Sequence, residues 1–367
     1  MQAQEAARIF HDWASIEGML PEGPVTTVQI TEAEKALISP VTDLGKQVLR
    51  TKQILSVSFN EAASEIVVFT KRAAPTTKRQ KASIPQKIAN VSVVYRQGVQ
   101  NPVGPTNSLP FSGPTYAVRN IGGQKFYACG SSISVGNNRE AGTFGAIVRD
   151  SSTKLYGLTN NHVSGSCSFA PVGLPILAPG IVDVVPGNLS PFTIGFHSVA
   201  LKMAPGSADN VIPSENLDGA IFELSSHARV SSFQGSAYDT PAQAGALIAN
   251  MNVEKVGRTT GHTHGRVLGQ VHGPHPIQYS AAIYGFSGIV RFDPVFAIVG
   301  NGQLFSDGGD SGSLITAIDG NGDRIGVGIV VGGMNDGSAP GGKITIALPL
   351  LPILQGFGVS LVSGYNI

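Results

Sequence analysis

Short apolar runs recur about every eight to twelve residues through most of this chain, each closed by Gly, Pro, Asn or Ser, and no other feature limits the fold as strongly. They include TFGAIVRD, KLYGLTNNHV, TIGFHSVAL, LDGAIFEL, NVEKVGRTT, GRVLGQVHG, FSGIVRF, SLITAID, IGVGIVVGG and KITIAL. Runs this short do not fill ordinary helices, and their Val, Ile and Thr content suits a pleated surface. A mainly β fold, either sandwich or barrel, is predicted. The 46 glycines and 23 prolines supply the turns that many short strands require. No repeat of fixed period is present, and LPLLPILQGFG near the end predicts a short closing helix.

Residues 1–98 read differently. Ala6, Ile9, Phe10, Trp13, Ile16 and Leu20 fall at helical spacing with Glu5, Arg8, Asp12 and Glu17 between them, which predicts an amphipathic helix. Thr31 and Glu34 have the spacing of a capping box, so a second helix opens there, and Pro40 kinks or ends it. ILSVSFN (54–60) and SEIVVFTK (64–71) read as a strand pair, and IANVSVVYRQG (88–98) as a further strand. A small α+β domain without chemistry of its own is expected over 1–98. The basic run KRQK (78–81) reads as a solvated loop. VQNPVGPTNSLPFSGP has linker composition, which sets a linker at 99–116 and a β-rich domain at 117–367.

Apolar residues at 42% against 13% charged indicate a globular chain. Lys plus Arg (25) nearly equals Asp plus Glu (24), which leaves no electrostatic reason for a nucleic acid or an anionic membrane as partner. The opening MQAQEAARIFHDWASIEGML is interrupted by charges, so neither a secretory signal nor a membrane span is expected. With only Cys129 and Cys167, a reducing compartment and a cytoplasmic protein are expected. Both cysteines read as small buried hydrophobes rather than as a bridge.

Chemistry enters with SDGGDSGSLIT, residues 306–316. Flanking glycines let the backbone turn tightly and present Ser311 with N–H groups aimed at one point. A serine hydroxyl needs a base to take its proton. Among eight histidines, His162 follows an apolar strand in LYGLTNNHVSG, a strand end suited to a cleft. The base in turn needs a buried carboxylate on its other nitrogen. Asp218 opens the apolar strand of LDGAIFEL, an unusual place for an unpartnered acid; Asp209 is the rival, in the polar loop PGSADN. The order His162, Asp218, Ser311 separates the known triad arrangements, because only the chymotrypsin type runs His, Asp, Ser. GDSGS also departs from G-x-S-x-G at Ser313.

LTNNHV, LDGAIFEL and GGDSGSL resemble the His, Asp and Ser motifs of trypsin-like serine peptidases. GTFGAIVRDSSTKLYGLTNNHV, EKVGRTTGHTHGRV and the α+β unit resemble more closely the bacterial relatives of the plant narrow leaf protease, over roughly residues 50–350. The resemblance implies two packed antiparallel β-barrels, about 117–235 and 236–350, with His162 and Asp218 on the first and Ser311 on the second. It implies a serine endopeptidase acting on proteins or peptides, with Gly309 and Ser311 N–H groups as oxyanion hole and Asp310 holding the loop. In the same register Phe305 would be the base of the substrate pocket, and VVGG, with Val331 and Gly332, the strand that pairs with substrate. Val163 stands where secreted trypsins carry a cysteine. NIGGQ (120–124) is faintly like the new N-terminus of activated trypsins, and equally a turn.

His262, His264, His272 and His275 lie close in sequence, but no nearby carboxylate or cysteine completes a ligand set, so neither a metal nor a cofactor is expected. The barrels of the resembling family are complete without the first helix, whose apolar stripe is therefore expected to drive self-association or bind a regulatory partner. The competing reading is a catalytically silent trypsin-like fold that serves as a binding or scaffold module.

Overall fold

The computed structural model describes residues 1–21, 28–103, 117–184, 192–207 and 210–367. Most of the predicted linker, and the rival Asp209, lie outside the described residues. No helix among the described residues is long and apolar enough to cross a membrane.

The first helix, Ala3–Ile16, begins where the Glu61 carboxylate accepts the N–H groups of Ala3 (2.7 Å) and Gln4 (2.7 Å). Those donors have no partner inside the helix, and a carboxylate at the positive end of the helix dipole satisfies both needs. Ile9, Phe10 and Trp13 are buried, in one apolar cluster with Val57, Ile66, Val68 and Val93 of the neighbouring strands. The stripe is thus covered by its own chain, and only Ile16 is exposed. This removes the ground for expecting the helix to drive assembly. The capping box is present: Thr31 Oγ1 accepts from Glu34 N (3.2 Å), Glu34 Oε2 accepts from Thr31 N (2.8 Å), and the helix Glu32–Leu37 ends before Pro40. KRQK is not a loop; it opens the helix Lys78–Ser83, capped by Thr77.

Strands Ile54–Asn60 and Glu65–Thr70 pair antiparallel, and Val91–Gln97 adds in parallel. The boundary at residue 98 does not separate this unit from the rest. Ser58 and Phe59 pair with Val271 and Gln270, so the N-terminal sheet continues directly into the second barrel. Six strands close that barrel: Asn252–Gly257, Leu314–Ile318, Arg324–Asn335, Lys343–Pro349, Phe296–Gly300 and Gly261–Val271, which returns to the first. The first barrel is a curled half-barrel built around Ala146–Asp150, Leu155–Thr159, Ala220–Leu224 and Thr193–Ala200. It is not confined to 117–235. After the closing helix Leu350–Phe357, the strand Val359–Leu361 crosses back and pairs with Ala146–Asp150. Cys129 and Cys167 are free, buried, and in different apolar clusters.

Two expectations follow from packing. Trp13→Ala should cost about 3–5 kcal/mol, read as a lower urea midpoint, with no change in particle mass by light scattering. His275 is buried with neither ring nitrogen hydrogen-bonded among the described residues, and burial lowers its pKa from 6.5 to about 4. The folded state therefore binds fewer protons than the unfolded chain between those values. Stability should be complete above pH 6.5 and fall by about 3 kcal/mol as pH drops through 4. His275→Phe should flatten that segment of the urea-midpoint profile.

Candidate active site

Ser311 sits in a tight loop between the buried Phe305 and the strand Leu314–Ile318. Asp310 N donates to Asp307 O (3.0 Å) and Ser313 N to Asp310 O (3.0 Å), which winds the loop into successive turns. Gly309 (φ 96°) and Gly312 (φ 93°) occupy the left-handed region. A Cβ on Gly309 would lie 2.5 Å from both Arg258 Nη1 and Thr259 Oγ1, so conformation and space both demand glycine there. Neither Gly309 N–H nor Ser311 N–H has a protein acceptor among the described residues. Both remain available to an anionic oxygen.

Asp310 organises the loop from beneath. Its carboxylate is fully buried and accepts from Thr259 N (2.7 Å), Thr260 N (3.2 Å), Thr260 Oγ1 (2.6 Å) and Asp307 N (3.0 Å). Lys255 Nζ, also fully buried, approaches it at 3.2 Å and donates to Gly261 O (3.2 Å) and Thr260 Oγ1. Burial pulls the Lys255 pKa below its ordinary value, while the Asp310 carboxylate opposes that shift. Sequence reading missed Lys255. The available signal was its place two residues after Val253 in NVEKVG, on the inward face of a strand.

Two further ties bind the half-barrel to this loop. Thr143 N donates to Ser311 O (2.8 Å), and Thr143 Oγ1 to Gly309 O (2.9 Å). Arg258 forms a bidentate pair with Asp183 through Nε (2.6 Å) and Nη2 (2.7 Å), both side chains almost wholly buried. A Cβ on Gly312 would fall 2.3 Å from Thr159 Oγ1, at the end of the strand that leads to His162.

His162 follows that strand in a single helical turn, Asn161–Gly165. Its Nδ1 lies 2.6 Å from Asp218 Oδ2, and its backbone N donates to Asp218 Oδ1 at 3.0 Å. Tyr279 O–H donates to Asp218 Oδ2 (3.0 Å), and Asn160 Nδ2 to the Asp218 carbonyl (2.6 Å). Asp218 is fully buried. An ionised carboxylate there places the imidazole proton on Nδ1 and leaves Nε2 to accept another. Ser311 Oγ donates to Val331 O (3.2 Å), and no hydrogen bond joins it to His162 among the described residues. Tyr279 was not recognised from the sequence, since nothing local in HPIQYSA marks it as a partner of Asp218.

A cavity of about 160 Å³ opens beside Ser311 and Gly309 and runs along Val330–Gly333. The backbone of Val331 and Gly332 lines it, while the Val331 side chain packs in the core. Phe305 does not line it. Its ring packs inward, 1% exposed, in the barrel core with Val253, Ile298 and Ile315. Ser306, one residue later, faces the cavity with Asp307 and Lys343, which form an ion pair at its rim.

The histidine-rich hairpin also differs from expectation. Cross-strand pairing sets Glu254 opposite His264, so a carboxylate does join the two histidines. The ligand atoms of Glu254, His262 and His264 lie within 4.8 Å of one another, and these three residues could hold a metal. Both carboxylate oxygens are already engaged, Oε2 by His262 Nε2 (2.6 Å) and Oε1 by Arg324, whose guanidinium balances the charge and stacks on Tyr238. His272 and His275 lie outside this group.

No family model and no curated protein sequence matches the chain. Among solved structures its neighbours are chymotrypsin-fold serine proteases. It is similar to Thermobifida fusca Protease A at 18% identity and a TM-score of 0.42, over 65% of this chain and 100% of that one. A glutamic acid-specific serine protease with a histidine triad in substrate binding matches at 18% identity and a TM-score of 0.42, over 64% and 100%. Cellulomonas bogoriensis chymotrypsin matches at 18% and 0.40, over 64% and 98%. In this chain a closed six-stranded barrel stands beside a curled half-barrel.

Lys255→Met should leave Asp310 as an uncompensated buried charge, at a cost of about 3–5 kcal/mol. The loop carrying Gly309 and Ser311 should lose its order first, seen as faster hydrogen exchange at 307–313 than in the barrel strands. Unchanged exchange in that loop would assign its order to the Thr259 and Thr260 contacts alone.

Proposed function

We propose that this chain is a serine endopeptidase with His162, Asp218 and Ser311 as its triad. The observation that carries the reading is the 2.6 Å contact between His162 Nδ1 and Oδ2 of a fully buried Asp218, an oxygen that also accepts from Tyr279. A carboxylate held out of water against an imidazole is costly, and such an arrangement suits proton transfer or a structural need. The glycine-flanked serine with two unused N–H groups supports proton transfer over a purely structural need.

In the reaction, His162 Nε2 accepts the Ser311 proton as Oγ attacks the scissile carbonyl, and the N–H groups of Gly309 and Ser311 take up the developing oxyanion. The imidazolium, stabilised by Asp218, then gives its proton to the leaving amine. A water molecule, deprotonated by the same imidazole, hydrolyses the acyl-enzyme and returns Ser311. The ion pair of Asp307 and Lys343 leaves no unbalanced charge at the cavity rim, which supports a small uncharged side chain before the scissile bond. The resemblance of the His, Asp and Ser motifs to those of trypsin-like serine peptidases supports this reading.

A fluorophosphonate probe should label the wild type and not Ser311→Ala. His162→Ala and Ser311→Ala should each lower kcat/KM for a peptide on the order of 10⁴-fold or more, and the double variant no further, because the residues act as one unit. Circular dichroism should stay unchanged. Additive losses would mean the pair is misassigned, and absence of labelling would favour a silent scaffold.

A further inference from the structure

The long strand Arg324–Asn335 has a neighbour on the cavity side that comes from the segment following the N-terminal unit. Gln100 pairs with Met334 and Val99 with Asn335, antiparallel. Asn101 N then donates to Gly333 O (3.2 Å), and the side-chain amides of Asn101 and Asn335 exchange hydrogen bonds at 3.1 and 2.9 Å. Continuing that register sets Pro102 opposite Gly332 and Val103 opposite Val331, whose carbonyl accepts the Ser311 hydroxyl. Contact at that point is direct, since a Cβ on Gly332 would lie 2.6 Å from Val103 Cγ2. Val103 is finally anchored away from the strand, its N–H on Gln278 O (2.7 Å) and its carbonyl accepting from Ser280 N (3.2 Å). Asn101, Pro102 and Val103 line the same cavity as Ser311.

A sheet edge pairs with one strand at a time. A peptide substrate held by β-addition along Val331–Gly333 would need the Gly333 carbonyl and the space over Gly332, and both are in use. We propose that residues 99–103 are a built-in strap over the half of the groove that receives substrate residues preceding the scissile bond. The strap restrains peptide cleavage until it is displaced. This rests on the reading of Ser311 as nucleophile. The restraint is selective: Ser311 itself stays partly exposed, so a small acylating reagent reaches it, whereas an extended peptide must first take the edge from the strap. Its hold is also limited. The ladder is two residues long, Pro102 has no N–H to contribute, and Asn101 and Pro102 are not buried.

The test compares the full-length wild type with Asn101→Pro, which removes both the N–H donor to Gly333 and the amide pair. The readouts are fluorophosphonate labelling of Ser311 and kcat/KM on a peptide extended several residues before the scissile bond. Apparent affinity rises in proportion to the fraction of open groove, so peptide cleavage should rise at least about ten-fold while labelling stays within about two-fold. Unchanged or slower peptide cleavage with intact labelling would overturn the strap and leave the catalytic reading standing. No labelling in either protein would remove both. The wild type supplies a second measurement that needs no variant. After reaction with a peptidyl phosphonate spanning the groove, amides 99–103 should exchange faster, and unaltered protection there would overturn the proposal.

Discussion

The buried pair of Lys255 and Asp310 is the interaction on which the site depends. Two charges taken out of water are expensive, and their mutual attraction offsets this only when the remaining donors and lone pairs are satisfied. Here they are: Asp310 accepts four hydrogen bonds besides the ammonium, and Lys255 donates to Thr260 and Gly261. Every one of these partners except Asp307 belongs to the hairpin of Asn252–Gly257 and Gly261–Val271. The carboxylate beneath Gly309 and Ser311 is therefore anchored mainly by a single supersecondary unit. The cation is also internal, a side chain of the same hairpin, and NIGGQ takes no part in that pairing. Ile121 instead pairs with Gln124 across the turn of Gly122 and Gly123.

From that hairpin the constraint passes to the other barrel. Arg258, at its turn, clamps Asp183, and its backbone N–H donates to Thr143 Oγ1 (3.1 Å), the residue that also holds Ser311 O and Gly309 O. Thr159 Oγ1 in turn donates to Thr143 O (2.8 Å), three residues before His162. The loop that carries Ser311 and the turn that carries His162 are thus joined through Thr143 and Thr159. Under the proposed function Ser311 and His162 would have to approach and part, and a framework tied through the backbone of their loops suits that.

What was legible in the sequence is what local rules govern. The capping box at Thr31 and Glu34 and the strand punctuation each depend on residues near one another in the chain. The errors share a different cause. Phe305 was set by counting back from Ser311, but packing into the barrel core decides which of Phe305 and Ser306 faces the cavity. Glu254 meets the histidines only because two strands pair in one register. The apolar stripe of the first helix was legible, and its partner was not, since amphipathicity states that a face must be covered without stating by what. Tyr279 and Lys255 are likewise known only through contacts made across the fold.

The same non-local pairing changes what the N-terminal unit is. Its strand Ile54–Asn60 docks on the far end of Gly261–Val271, the strand whose near end forms the hairpin that holds Asp310. The approach at the junction is close enough that a Cβ on Gly269 would sit 2.3 Å from Phe59 O. Asn60 Nδ2 adds hydrogen bonds to Leu268 O (2.9 Å) and Asn250 Oδ1 (2.8 Å), and Arg96 pairs with the buried Asp336 at 2.9 Å. A unit held by a continuous sheet, an amide clasp and a partly buried ion pair does not pivot freely on a linker. It sets the position from which residues 99–103 depart, and so fixes their register against Met334 and Asn335. The helices and strands that bear no chemistry of their own thereby determine what lies along the edge beside Ser311.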